Sequence, residues 1–113
     1  MKPSAAMLKG FAMAGGRQCV GQHYEGDDPR KPDAVCAYGA ILLGVTGSAM
    51  SRAKSGHTTA KSACEIFRQS TGSHLIDAND SACQGQIEPM SIDSQRIAFL
   101  REHRQKLVKA RDW

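Results

Sequence analysis

A cysteine, a histidine and a polar orienting residue, the residue types that a cysteine hydrolase needs, follow one another along this chain. Cys36 stands at the start of an apolar segment, His74 leads the pair Leu75-Ile76, and Asp77 and Asn79 follow. With Asp33 as N-cap, Cys36 falls in the first turn of a helix, where the positive end of the helix dipole favours thiolate over thiol. An imidazole then takes the proton, and a third group orients the imidazole. The same residues admit a second reading, in which Cys36 is a small buried side chain that lets a neighbour pack closely. No cysteine-hydrolase signature surrounds it, no glycine-rich oxyanion loop is evident, and the Asp33 carboxylate opposes a thiolate. The sequence therefore assigns no catalytic residue, with Cys36, His74 and Asn79 (or Asp77) as the alternative.

Metal chemistry has weaker support. Cys19-x-x-x-His23 puts two ligands on one helical face, but the segment is a poor helix and no Cys-x-x-Cys pair exists. The acids Asp27, Asp28 and Asp33, and separately Asp77, Asp80 and Glu88, lack the dense alternation and the turn glycine of a calcium loop, so they read as turn and capping residues. The sequence predicts no metal and no cofactor. The four cysteines, Cys19, Cys36, Cys64 and Cys83, lie in or beside apolar segments and read as reduced thiols of a cytoplasmic protein.

Charge gives the leading functional reading. The chain carries +4 net, and residues 93–113 hold Arg96, Arg101, Arg104, Lys106, Lys109 and Arg111 against Asp93, Glu102 and Asp112. Part of this is explained structurally, because Lys109 and Arg111 complement a helix C-terminus and Glu102–Lys106 is a favourable i,i+4 pair. The functional reading is a basic surface, joined by the Arg52/Lys54/His57 loop, for an anionic macromolecule. Phosphates of a nucleic acid or an acidic groove of a protein would both fit. No aromatic platform for single strands and no helix-turn-helix spacing is visible.

The elements that must position these residues follow from pattern. A chain of 113 residues with 41% hydrophobic and 5% aromatic residues suits one domain, residues 1–113, with an aliphatic, alanine-rich core. No apolar run reaches bilayer-spanning length, and no secretory leader or lipidation box is read. Ser4 caps a first helix to about Ala14, with Leu8, Phe11 and Ala12 on one face and Met7 beside them. Arg17 to Tyr24 is a short strand or an extended segment, and Glu25 to Asp33 is a polar loop. A central helix runs from Ala34 to Val45, apolar almost all round, with Gly39 and Gly44 tolerable where another element packs closely. Residues 47–58 form a loop, Thr59 to Ser70 a third helix with Ala60, Ala63, Cys64 and Phe67 on one face, and Ser73 to Ile76 a short strand or turn. Asp77 to Asp80 is turn-like, the stretch around Gly85 and Pro89 is irregular, and the last helix spans about Ile92 to Ala110. Its stripe is Ile97, Leu100, the Arg104 stem, Leu107 and Val108. The predicted class is mainly α, a compact bundle of about four helices with room for two short strands.

The run Asp33-Ala-Val-Cys-Ala-Tyr-Gly-Ala40 and the later Ile76-Asp-Ala-Asn-Asp80, ahead of a C-terminal helix, resemble a group of small uncharacterised bacterial and phage proteins. Their pattern is a Cys-Ala-Leu-Gly-Ala helix and a later Asn-Asp turn, and Tyr38 stands here in place of Leu. The resemblance implies a compact helical domain of phage or prophage origin and supplies no activity. The expected function is a non-enzymatic binding or accessory protein, in the host cytoplasm if phage-encoded. A small cysteine hydrolase and a structural or assembly protein are the alternatives, and the oligomeric state is left open.

Overall fold

The computed structural model describes residues 2–50, 54–83 and 92–113, with residues 54–57 and 92–100 described by backbone alone. The described residues form five helices and one small sheet: α1 (Pro3–Met13), β1 (Tyr24–Glu25), β2 (Ala34–Val35), α2 (Ala37–Thr46), α3 (Lys54–Thr71), α4 (Leu75–Cys83) and α5 (Ile92–Lys109). The mainly helical class with two short strands is thus observed, with one helix more than the sequence suggested. The expected irregular stretch around Gly85 and Pro89 lies outside the described residues.

Helix α2 is the centre. Ala37 to Gly44 are all buried, and Gly47 closes the helix in a left-handed conformation, its N–H returning to the Leu43 carbonyl. Helix α1 lies against it so closely that a Cβ at Gly10 would collide with the Ala40 carbonyl, and one at Gly44 with the Ala6 carbonyl. This contact decides which side of α1 faces inward. Ala6, Met7, Gly10 and Phe11 are buried, while Leu8 is 36% exposed and Ala12 is exposed. The expected Leu8–Phe11–Ala12 face is therefore rotated, because the smallest residues, not the largest, permit the backbones to approach. Nor does Ser4 cap α1. Pro3 opens the helix at a position that suits its missing N–H, and the Ser4 hydroxyl donates to the Trp113 carbonyl.

The central helix begins three residues later than its apolar pattern suggests. Ala34 and Val35 belong to β2, antiparallel to β1 in the register Tyr24↔Val35 and Glu25↔Ala34, and Gln18 forms a parallel bridge to Val35 on the other side. Val35 N–H donates to the Arg17 carbonyl, Cys19 N–H to the Val35 carbonyl (both 3.0 Å), and Cys36 N–H to the His23 carbonyl (3.1 Å). Hydrogen bonding to both sides outweighs the helical pattern. The second expected strand, Ser73–Ile76, and the Asp77–Asp80 turn are instead the start and body of α4. His74 opens this helix: its carbonyl accepts from Ala78 N–H and its Nδ1 from Ile76 N–H. Helix α3 also begins earlier, at Lys54, and buries Ala60, Ala63 and Phe67 as expected, with Cys64 half-buried.

On α5 the Leu107 side chain is buried and Val108 is 75% exposed, so Val108 leaves the expected core stripe. Ile97 and Leu100 have side chains outside the described residues. Phe67 and His103 meet in a T-shaped arrangement at 4.9 Å, and Phe67 lies 5.5 Å from the Trp113 ring, which ties α3 to α5 and to Trp113.

Candidate functional site

The hydrolase residues are placed by the strands and by α2 and α4. Cys36 is not in the first turn of α2 but is its N-cap, and its sulfur accepts from Gly39 N–H at 3.3 Å. Asp33, expected in that role, is exposed, and its N–H pairs with the Glu25 carbonyl. Burial raises the Cys36 thiol above its ordinary value, although backbone N–H groups pull the other way and the Asp80 carboxylate adds to the rise. Burial thus works against the activated, low-pKa thiolate that a hydrolase nucleophile needs.

Asn79 is fully buried, and both ends of its amide are engaged. Oδ1 accepts from Ala37 N–H (2.8 Å) and Gln18 Nε2 (2.5 Å), and Nδ2 donates to the Cys19 carbonyl (3.0 Å) and Asp80 Oδ1 (3.1 Å). One side chain on α4 thereby joins the 17–19 segment to the first N–H of α2, a group that a helix cannot satisfy by itself. An amide used in this way has nothing left with which to orient a histidine. His74 is exposed and has its own α4 as partner. It lines a small pocket of about 290 Å³ with Tyr38, Lys61, Cys64, Glu65, Arg68 and Ile76, which sets it beside Cys64 rather than Cys36.

The metal candidates behave similarly. Cys19 donates its S–H to the Gln22 carbonyl at 3.4 Å, and the His23 ring stacks on Tyr38 at 4.8 Å. Among the described residues no three histidines, cysteines or acids come together as a metal site. Asp28 closes a turn, accepting from Arg30 N–H and pairing with its guanidinium at 3.5 Å, and these bonds lower its carboxyl below the usual range. Asp77 sits in the first turn of α4, where an acid complements the dipole. Asp80 is bonded to Asn79, and Glu88 lies outside the described residues.

The basic residues divide. Arg101, Arg104 and Arg111 line a groove of about 1070 Å³ between α1 and the end of α5. Lys2 and Ser4 complete the α1 edge, while Leu8, Leu107, Val108, Ala110 and Trp113 give it an apolar lining. Spacings of three and four place Arg101, Arg104 and Val108 on one stripe of α5, with Arg111 one turn beyond. None of the three arginines forms an ion pair with another described residue. Lys106 faces elsewhere and donates to the Thr71 carbonyl at 3.5 Å, helping to close α3 instead of pairing with Glu102. Lys109 is exposed but does not line the groove. Arg52 and the side chains of Lys54, His57 and Arg96 lie outside the described residues.

Sequence reasoning missed Lys2 and Leu8 as members of this groove. They come from the far end of the chain, and no periodicity links the two ends. It also read Val108 as core. The alternation of Arg101, Arg104, Val108 and Arg111 at helical spacing was the available signal, a stripe too charged to be buried. No protein-family model, no curated protein and no solved structure matches the chain.

Proposed function

We propose that this protein is a non-enzymatic binding protein whose α1–α5 groove receives an acidic, amphipathic segment of another protein. The observation that carries this reading is three guanidinium groups, Arg101, Arg104 and Arg111, beside an exposed apolar lining that includes Leu8 and Val108. Guanidinium groups take carboxylates in a bidentate manner, and Leu8 and Val108 offer aliphatic surface to apolar residues of the same segment. A nucleic acid fits less well: Trp113 is only 8% exposed, which leaves no stacking face, and Val108 at 75% exposure meets no phosphate chemistry. No helix among the described residues is long and apolar enough to cross a membrane. The motif resemblance adds the biological setting, an accessory protein of phage or prophage type acting in a host cytoplasm.

The test uses defined probes. Trp113, the only tryptophan, lines the groove and reports occupancy by its fluorescence. A helical peptide of alternating Glu and Leu faces should bind, weaken with salt, and lose about tenfold in affinity when Arg101, Arg104 and Arg111 are changed to Gln together. Polyglutamate of equal charge should bind less well, because it cannot use Leu8 and Val108. Tighter binding of duplex DNA than of the peptide would overturn the choice of partner.

A further inference from the structure

We propose that Cys19 and Cys36 form a site for a reversible intramolecular disulfide. The backbone brings them near one another. Gln18 faces Val35 in an isolated parallel bridge closed by two hydrogen bonds of 3.0 Å, and Cys19 and Cys36 are the residues that directly follow this bridged pair. Alternation along a strand sends both side chains to the face opposite Gln18 and Val35. Neighbouring strands lie about 4.8 Å apart, within the roughly 4.4–6.8 Å that separates the Cα atoms of a disulfide. The sulfurs also feel one another: burial raises the Cys19 thiol to about 12, and the next contribution comes from Cys36.

Both residues are only 4% exposed, yet Cys19 has a route to solvent. Its S–H is held by the carbonyl of Gln22, in a turn whose Val20, Gly21 and Gln22 are exposed. Opening of this turn is the step that would uncover the sulfur. The oxidant is a small-molecule disulfide such as oxidised glutathione. Cys19 loses its proton and attacks one sulfur, forming a mixed disulfide and expelling one thiolate. Cys36 loses its proton and attacks the Cys19 sulfur, forming the Cys19–Cys36 bond and expelling the second thiolate. Two protein thiols are oxidised, one small disulfide is reduced to two thiols, and the two protons pass to the expelled sulfurs. The bond would weld the 17–19 segment to the N-cap of α2.

The experiment incubates the reduced protein with oxidised glutathione, quenches by alkylation, and reads intact mass and linked peptides. The expected product is a monomer lighter by about 2 Da before alkylation, with Cys19 and Cys36 in one linked peptide and a higher thermal midpoint than the reduced form. Cys64→Ala/Cys83→Ala should oxidise like the parent, and Cys19→Ser should form no intramolecular bond. Cys83 also raises the Cys19 thiol and is itself raised by Cys36, so peptide mapping in the unmodified chain decides the pairing without relying on any variant that fails to fold. A bond to Cys83 or Cys64, glutathione adducts alone, or no reaction until the protein unfolds would each overturn the proposal.

Discussion

Around Asn79, one buried amide is engaged at both ends by Gln18, Cys19, Ala37 and Asp80. Across the α1–α5 groove, three arginines stand with no ion pair to another described residue, beside a valine that is 75% exposed. The first region holds the residues whose types most suggest catalysis, and folding uses them. Cys36 caps a helix, Asn79 ties two segments together, and His74 opens α4. The second region holds residues that look like ordinary surface charge, and nothing in the described fold uses them. Hydrogen-bonding capacity already engaged within the fold is structural. On the proposed reading, capacity that folding leaves open is what a partner uses.

The largest effects should come from the buried interior, at the α1–α2 contact and at Asn79. Gly44→Ala places a methyl against the Ala6 carbonyl, backbone that cannot swing aside as a side chain would. A loss of about 3 kcal/mol, the upper part of the overpacking range, is expected by denaturant unfolding. A loss under half of that would mean that α1 can shift away from α2. Asn79→Ala strands the Ala37 N–H and the Cys19 carbonyl, and should cost about 2 kcal/mol or slightly more. If it proves neutral, the knot is not what holds the 17–19 segment to α2.

A smaller effect is tied to pH. Free thiols lose their proton near 9.0, whereas folded Cys19 keeps it to about 12. Between these values the unfolded chain binds fewer protons than the folded one, so the Cys19 contribution is complete below pH 9.0 and is lost as pH rises toward 12. The unfolding midpoint should fall over that interval, and the fall should be shallower in Cys19→Ser. Equal slopes would show that the thiol is not buried in the folded state. The smallest stability effect belongs to the groove: Arg101→Gln, Arg104→Gln and Arg111→Gln should each change unfolding free energy by less than about 0.5 kcal/mol, as exposed charges do.

The legible parts of this fold were those set by composition and local pattern. The apolar run through Ile41, Leu42 and Leu43 marked the central helix, and Ala60, Ala63 and Phe67 marked the inner face of α3. What was hidden depended on partners distant in the chain. Ala34 and Val35 look helical until the 17–19 segment and β1 claim their hydrogen bonds. Asp77 to Asp80 looks like a turn because Asx residues bond nearby backbone, but Asn79 bonds instead to residues 42 and 60 positions away. The basic C-terminal helix was visible as charge. Its division into three groove arginines, a lysine that closes α3 and a solvated Lys109 was not, since each fate depends on what α1 and α3 place beside it.

The most direct test of the open groove is titration of the acidic Glu/Leu peptide into the protein, followed by Trp113 fluorescence, for the parent and for the Arg101→Gln/Arg104→Gln/Arg111→Gln variant. If the groove is the binding surface, the parent binds saturably and the variant about tenfold more weakly, with unchanged thermal midpoints. Equal affinities for both proteins would contradict it.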